Sequence, residues 1–277
     1  MIFRKRTIPD EEIMTLKAQR SMLGDQLNFA AAEAYKLLRA NLTFSLPDEQ
    51  KCRVVGVTSA VRGEGKSTTS INLAYTLAET GKRVLLVEAD MRRPQLAHRL
   101  AIDAAPGLSN LLAGLCREKD VVQDVGLLEN MKVITSGDVP PNPSELLGSE
   151  RMSTVVETLA QSFDFIIFDL PPVNAVSDGL VVSRFIQGMI VVVRQDYSDR
   201  QGLSAALRQL EYMHIKVLGF VMTHSSISGG RYGRYGRYGR YGRYGQYGRY
   251  ESESRETGAD QERARKTGSA KSRKSKR

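Results

Sequence analysis

The sequence predicts an α/β fold with a doubly wound, mostly parallel β-sheet. Three observations predict it: short apolar runs of strand length, amphipathic stretches of helical spacing between them, and a glycine-rich turn around Lys66 that joins the first strand to the next helix. Strands that alternate with helices form a parallel sheet covered on both faces. Ligands bind such sheets at the carboxyl ends of the strands.

Six runs rich in Val, Ile and Leu predict the strands, because they show little of the alternation typical of a half-exposed strand. They cover residues 53–58, 83–88, 131–135, 163–169, 189–193 and 216–222. Apolar residues at helical spacing predict helices over 67–80, 150–161 and 198–213, and an amphipathic helix over 28–42 ahead of the first strand. Residues 1–27 are polar and weakly patterned, and we predict an N-terminal extension there.

The 277 residues carry a formal net charge of +9, which is distributed unevenly. Residues 1–228 contain 25 basic and 26 acidic side chains, whereas residues 229–277 contain 15 basic and 5 acidic ones. A polyanionic partner is therefore suggested for the tail at most.

The sequence also bounds the class of protein. It has no run of about 18 apolar residues, and no apolar stretch follows the basic residues 4–6, so we expect neither a membrane span nor a secretory signal. Cys52 and Cys116 are too few for a disulfide framework or a zinc site. Both are expected in the core of a reduced, cytoplasmic protein.

The turn after the first strand predicts a phosphate-binding P-loop, and with it a P-loop NTPase. Gly63 and Gly65 allow backbone amides to converge on a phosphate, Lys66 reaches the β and γ phosphates, and the Ser67 hydroxyl suits Mg²⁺. Ala60 replaces the usual first glycine, but the order of strand, Gly-Lys-Ser and helix disfavours an ordinary turn. The predicted ATP contacts are Arg62, Gly63, Glu64, Gly65, Lys66, Ser67 and Thr68.

Carboxylates follow two of the predicted strands at the same edge of the sheet. Glu88 and Asp90 lie at the end of the second strand, and Asp169 ends the fourth. Each acid alone could simply cap the next element. Beside a P-loop, however, such carboxylates are placed to hold Mg²⁺ or to orient an attacking group. We therefore predict binding of a magnesium nucleotide.

The tail contains a tyrosine cluster over residues 229–250, in which tyrosine recurs every three residues. Its members are Tyr232, Tyr235, Tyr238, Tyr241, Tyr244, Tyr247 and Tyr250. Interleaved Gly and Arg cannot build a packed core, so this segment and the basic residues 251–277 are predicted to be disordered. Taken alone, the cluster fits a multi-site phosphoacceptor, a nucleic-acid-binding segment that uses charge and stacking, or a solvated linker.

Body and tail together resemble the bacterial tyrosine kinases of capsule and exopolysaccharide synthesis, over residues 28–250. The resemblance rests on residues 63–68 (Walker A), 88–94 (Walker A′), 140–147 and 168–173 (Walker B), and on the tyrosine cluster. Residues 33–39 are similar to the family's E-x-x-R-x-x-R helix, which lines subunit contacts. Its positions are held here by Glu33, Lys36 and Arg39.

The resemblance implies a stand-alone cytosolic kinase of the MinD/ParA-like P-loop superfamily. Its activity would be ATP- and Mg²⁺-dependent autophosphorylation of the tail tyrosines, a non-specific protein-tyrosine kinase reaction that regulates polysaccharide polymerisation and export. The implied partners are further copies of the chain in a ring, a transmembrane polysaccharide co-polymerase that activates the kinase at the inner face of the plasma membrane, and a cognate tyrosine phosphatase. No nucleic-acid partner is expected.

The expected catalytic residues are Lys66, Glu88, Asp90 and Asp169. Lys66 would hold the phosphates, and Ser67, Asp90 and Asp169 would hold Mg²⁺, the last through a water molecule. Glu88 or Asp90 would accept the phenol proton.

Three positions depart from the family pattern. Glu88 stands where Asp is usual, and Lys36 replaces an arginine. Thr223 falls where a strand-terminal asparagine commonly meets adenine.

The main alternative is a partitioning or positioning ATPase of the same superfamily, with a basic tail that binds nucleic acid. Such proteins usually carry an extra lysine early in the P-loop, where Val61 stands here. The even spacing of the tyrosines also disfavours this alternative. An adaptor with an inactive nucleotide site is disfavoured by the intact Lys66, Ser67, Asp90 and Asp169.

Overall fold

A computed structural model describes residues 23–47 and 51–225. The greater part of the predicted N-terminal extension and the whole tail from residue 226, including the tyrosine cluster, lie outside the described residues.

A single seven-stranded sheet organises the described part of the chain, in the order β3-β4-β2-β5-β1-β6-β7. All neighbouring strands are parallel except the pair β3 and β4. The strands are β1 (Arg53–Ser59), β2 (Val84–Glu88), β3 (Gln123–Asp124), β4 (Met131–Ile134), β5 (Phe165–Asp169), β6 (Met189–Arg194) and β7 (Val217–Thr223). The doubly wound, mostly parallel sheet is confirmed, and only the short polar strand β3 escaped prediction.

The four predicted helices are present within a few residues of their expected bounds, and five short ones accompany them in the described part of the chain. The helices are α1 (Phe29–Ser45), α2 (Lys66–Ala78), α3 (Leu96–Leu100), α4 (Leu108–Leu112), α5 (Glu118–Val121), α6 (Pro143–Leu147), α7 (Glu150–Ser162), α8 (Asp178–Val182) and α9 (Arg200–Tyr212). The Asn28 side chain caps α1 by accepting a hydrogen bond from the amide of Ala31 at 2.9 Å.

Two buried clusters lie on opposite faces of the sheet. Successive residues of β5 belong to different clusters: Ile166 to the cluster that contains Leu210 of α9, and Ile167 to the cluster that contains Ile71 of α2. Burial on both faces explains why the strand sequences lack alternation. It also leaves the carboxyl ends of the strands as the place where polar side chains collect.

Residues 23–27, which the sequence analysis placed in the N-terminal extension, pack against the helix that follows the P-loop. Leu23 is buried in the cluster that contains Ile71, and the amide of Gly24 donates to Oδ1 of Asn72 at 2.9 Å. Met22, Leu23 and Leu27 show no helical or strand periodicity, so no pattern in the sequence predicts that this segment packs on α2.

Two expectations about burial are wrong. β7 lies at the edge of the sheet, and Phe220 and Met222 are 55% and 60% exposed, although its apolar sequence predicted a buried strand. Cys116, expected in the core, is only partly buried. Among the described residues, none of the helices combines the length and apolar character that crossing a membrane requires.

Candidate functional site

The P-loop follows β1 and forms the centre of the candidate site. Gly63 and Gly65 have φ angles of +80° and +97°, in the left-handed region that favours glycine. Gly65 caps α2, and Lys66 is the first residue of that helix. Backbone amides at a helix N-terminus attract anions, and this geometry suits a phosphate.

Lys66 and Asp90 form an ion pair at the carboxyl ends of the strands, with 3.0 Å between Nζ and Oδ2. Burial lowers the pKa of Lys66, but the carboxylates of Asp169 and Asp90 outweigh it and raise the pKa overall. Lys66 therefore carries its charge at neutral pH and is paired with the Asp90 carboxylate.

Asp169 ends β5 and is fully buried. Its Oδ1 accepts a hydrogen bond from the Ser70 hydroxyl at 3.2 Å, whereas its buried Oδ2 has no hydrogen-bond partner among the described residues. Burial raises the pKa of Asp169, and the charge of Lys66 opposes the shift. An unpaired buried carboxylate oxygen beside a P-loop fits a magnesium ion or one of its waters.

Glu88 ends β2, and both of its carboxylate oxygens are occupied by backbone amides. The amides of Gln95 and Leu96 donate to Oε1, the latter at 2.7 Å, and the amide of Ser136 donates to Oε2 at 3.1 Å. Burial raises the pKa of Glu88, and these hydrogen bonds oppose the shift. Glu88 thus holds the loop after β2 in place, and the choice between Glu88 and Asp90 as proton acceptor stays a prediction.

Glu64, predicted to contact ATP, turns its side chain into the protein. Its carboxylate accepts hydrogen bonds from the amide of Val61 at 2.9 Å and from the hydroxyl of Ser198, in the loop after β6. Arg194 Nη1 also donates to the carbonyl of Gly63 at 3.1 Å. The side chain of Glu64 thus shapes the P-loop from within.

Thr223, at the end of β7, also packs on the P-loop. Its hydroxyl donates to the carbonyl of Glu64 at 2.7 Å, and a Cβ added to Gly65 would lie 3.2 Å from its methyl group. Thr223, which stands where the family commonly has an asparagine, therefore supports the phosphate loop.

The remaining predicted ATP contacts lie on the same loop. Ser67 is buried near the start of α2, and Arg62 is exposed. Thr68 accepts a hydrogen bond from Arg99 Nη1 at 3.2 Å. The structure thus gathers the predicted P-loop residues, Asp90 and Asp169 at one edge of the sheet.

A second charged cluster lies nearby and was missed by the sequence analysis. Arg92 binds the buried Asp178 through Nε at 2.7 Å and Nη2 at 3.2 Å, and the Ser144 hydroxyl donates to the same carboxylate. Ser144 belongs to the 140–147 segment that contributed to the family resemblance. Asp178 had no comparable signal.

The α1 residues expected at subunit contacts divide into two groups. Glu33 and Lys36 form a partly exposed ion pair at 2.8 Å. Arg39 instead donates to the carbonyl of Thr76 at 2.6 Å and lies 3.9 Å from the carboxylate of Glu79. Arg39 thus joins α1 to α2 within the chain, and the contribution of all three residues to a subunit contact stays a prediction.

Comparisons with known proteins agree with the site. A family profile described as an AAA domain matches residues 52–218. Tyrosine-protein kinase YwqD of Bacillus subtilis is 34% identical over 197 residues, which cover 71% of this chain and 82% of that protein. The solved kinase domain of the Escherichia coli tyrosine kinase ETK is 30% identical with a TM-score of 0.68, and the match covers 81% of this chain and 85% of that one.

A more distant likeness shows the shared fold. The septum site-determining protein MinD of Pyrococcus horikoshii, solved in complex with Mg-ADP, is 24% identical with a TM-score of 0.52, over 62% of this chain and 70% of that one. The greater likeness to kinases favours the kinase hypothesis over the positioning ATPase. From its P-loop fold and from its relatives, the chain belongs to the bacterial tyrosine-protein kinases.

Proposed function

We propose that the chain transfers the γ-phosphoryl group of ATP to tyrosines of its own tail and thereby regulates capsule or exopolysaccharide polymerisation and export. The observation that carries this proposal is the convergence of Lys66, Asp90 and Asp169 at the P-loop. The proposed acceptors are Tyr232, Tyr235, Tyr238, Tyr241, Tyr244, Tyr247 and Tyr250.

The nucleotide would enter as its magnesium complex. The P-loop amides and Lys66 would hold the β and γ phosphates, while Ser67, Asp90 and the unpaired oxygen of Asp169 offer hard oxygen ligands for Mg²⁺. Magnesium would neutralise charge on the phosphates. MinD, which shares the fold, was solved with Mg-ADP.

Phosphoryl transfer then needs a proton acceptor, which Asp90 can supply. In the structure Asp90 is paired with Lys66, and arriving phosphates would compete for that lysine. A tyrosine oxygen would attack the γ-phosphorus, its proton would pass to Asp90, and the bond from phosphorus to the bridging oxygen would break to release ADP. Positioning and charge neutralisation would supply most of the rate enhancement.

Chain length allows the acceptors to reach a P-loop. Ser225 lies two residues after the end of β7, and Thr223 contacts the P-loop. Tyr232 lies seven positions after Ser225, a span of at most about 25 Å when fully extended. Both the same subunit and a neighbouring one are therefore within reach of the tyrosine cluster, and we favour the neighbour in a ring-shaped homo-oligomer.

The proposed partners follow from the family. They are further copies of the chain, with Glu33 and Lys36 on the outer face of α1, a transmembrane polysaccharide co-polymerase that recruits and activates the kinase at the inner face of the plasma membrane, and a cognate tyrosine phosphatase. We propose no nucleic-acid partner.

One experiment tests the proposed reaction. The purified chain, its Lys66→Ala variant and a truncation after Ser228 are incubated with MgATP, with and without the cytosolic segment of the membrane partner, and phosphate is mapped by mass spectrometry. We expect phosphate on the tail tyrosines of the wild type in at least one arm and none with Lys66→Ala. If the tyrosines stay unmodified in both arms while the intact chain hydrolyses ATP and binds DNA or RNA, the positioning ATPase is correct instead.

A further inference from the structure

Asp178 is a buried carboxylate for which the proposed reaction has no role. It is the first residue of α8, and none of its surface is exposed. Two guanidinium nitrogens of Arg92 donate hydrogen bonds to its carboxylate, and the Ser144 hydroxyl donates a third. A carboxylate is costly to bury unless it is paired, and these three hydrogen bonds offset that cost.

The three residues connect the segments that follow three neighbouring strands. Arg92 follows β2, Ser144 follows β4 and Asp178 follows β5, and these strands are adjacent in the order β4-β2-β5. The cluster therefore ties together the loops on one side of the P-loop, at the edge of the sheet where phosphoryl transfer is proposed.

Arg92 also places the cluster beside Asp90. Only Met91 separates the two residues along the chain. The Arg92 pKa is raised first by its hydrogen bond with Asp178 and then by the charge of that carboxylate, with a smaller contribution from Asp90. The turn that carries Asp90 is thus fixed on both sides. Before it, Glu88 accepts hydrogen bonds from the amides of Gln95 and Leu96, and after it, Arg92 pairs with Asp178.

We propose that Asp178 is a positioning residue for phosphoryl transfer. Through Arg92 it fixes the turn that presents Asp90 to Mg²⁺ and to the acceptor tyrosine, and Ser144 locks its carboxylate in the required orientation. Reacting groups displaced by about 1 Å can lose about 100-fold in rate, so loosening this turn is expected to lower kcat. The inference rests on the proposed function.

A structural ion pair is the competing explanation, and the chain provides a matched control for it. Arg83 and Asp164 form a second arginine–aspartate pair, with 2.8 Å between Nη2 and Oδ1. This pair lies at the amino ends of β2 and β5, away from the candidate site. A purely structural pair would change stability and leave the turnover of the folded protein unchanged. The control shows how the loss of such a pair alone affects the assay.

The experiment compares Asp178→Asn, Ser144→Ala, Ser144→Thr and Asp164→Asn in the full chain. Initial rates of tail phosphorylation give kcat and KM for ATP, calorimetry gives the affinity for Mg-ADP, and thermal unfolding identifies the temperature at which every variant is folded. We expect Asp178→Asn to lose about 10- to 100-fold in kcat, and Ser144→Ala a smaller part of that. Mg-ADP affinity should fall less than kcat, because the P-loop that holds the phosphates is untouched and only the contact of Asp90 with Mg²⁺ is loosened. Ser144→Thr, which keeps the hydroxyl, and Asp164→Asn should retain wild-type kcat.

The proposal is overturned if folded Asp178→Asn has wild-type kcat, or if Asp164→Asn loses as much kcat as Asp178→Asn. Should Asp178→Asn fail to fold, the two Ser144 variants decide, since equal kcat in Ser144→Ala and Ser144→Thr would also overturn it. The wild type is measured first with the membrane partner's segment present. A wild type that forms no phosphotyrosine contradicts the proposed function, whereas an active wild type with unaffected variants contradicts only the role of Asp178.

Discussion

Asp164 and Asp169 stand at opposite ends of one strand, β5, and their carboxylates meet opposite environments. Asp164 is held by Arg83, whose amide and side chain both donate to it at 2.8 Å, and this hydrogen bonding holds its pKa below the ordinary value. Asp169 is fully buried with one oxygen unpaired, and burial raises its pKa. The first carboxylate stabilises the fold, whereas the second costs stability and is left open to a ligand.

This contrast extends to the neighbouring strands. At the carboxyl end, Lys66 and Asp90 form a pair that phosphates would disrupt, and Arg92 lies near two carboxylates. At the amino end, Arg83 and Asp164 satisfy each other at the surface. The buried charges that lack a complete set of partners therefore lie at the carboxyl ends of the strands, where ligands bind α/β proteins. The ion pair at the amino ends stabilises the fold.

Asp169→Asn should produce the largest change and should separate activity from stability. Kinase activity is expected to fall about 100-fold or more, because a proposed Mg²⁺ ligand loses its charge. The melting temperature at neutral pH is expected to stay level or rise, because the buried charge and its desolvation cost are removed. Phosphorylation rates and thermal unfolding without nucleotide measure the two effects. A variant that is markedly less stable than the wild type would contradict the comparison.

Ser198→Ala should have an intermediate effect, confined to the P-loop. Glu64 would lose one of its two carboxylate hydrogen bonds, and an unsatisfied buried acceptor costs about 1–3 kcal/mol. Because the loop would be held less firmly, we expect Mg-ADP to bind about 3- to 10-fold more weakly in calorimetry. Ser198→Thr keeps the hydroxyl and serves as the control. Unchanged affinity in Ser198→Ala would show that Glu64 does not depend on Ser198 to shape the loop.

Asp164→Asn should have the smallest effect, on stability alone. This partly exposed pair is expected to contribute about 1 kcal/mol to the free energy of unfolding. Since the pKa of Asp164 is lower in the folded chain, its contribution is present above about pH 4 and is lost as the pH falls through the lowered value. Urea unfolding at pH 7 and at successively lower pH should therefore show a gap between wild type and variant that narrows as the pH falls below about 4. A gap of the same size throughout this range would mean that the charge is not its source.

The parts of the fold that follow from local sequence were predictable. Apolar runs mark the strands, and the order strand, Gly-Lys-Ser and helix marks the P-loop, so the meeting of Lys66, Asp90 and Asp169 follows from parallel strand order. The burial of Asp178 depends instead on partners 86 and 34 residues away. A short sequence window contains neither of them, and a lone aspartate at the start of a helix gives no other sign.

The hydrogen-bond partners of Glu88 and Arg39 could not be predicted from residue type and spacing. Glu88 has the residue type of a proton acceptor, and in the structure three backbone amides donate hydrogen bonds to its carboxylate. Arg39 has the spacing of an interface residue, and in the structure its guanidinium donates a hydrogen bond to the carbonyl of Thr76 near the end of α2. In both cases the hydrogen-bond partner is a backbone group, and its direction depends on tertiary structure.

The edge strand β7 bears on how the protein behaves at high concentration. Its seven residues include neither a charged side chain nor a proline, and Phe220 and Met222 are exposed. Proteins commonly use charge or proline to prevent a free strand edge from pairing with another chain. β7 lacks both devices, so self-association through backbone hydrogen bonds becomes more favourable as the protein is concentrated, above all in a truncation that removes the basic tail. Assays that compare full-length and truncated chains therefore need matched, dilute concentrations.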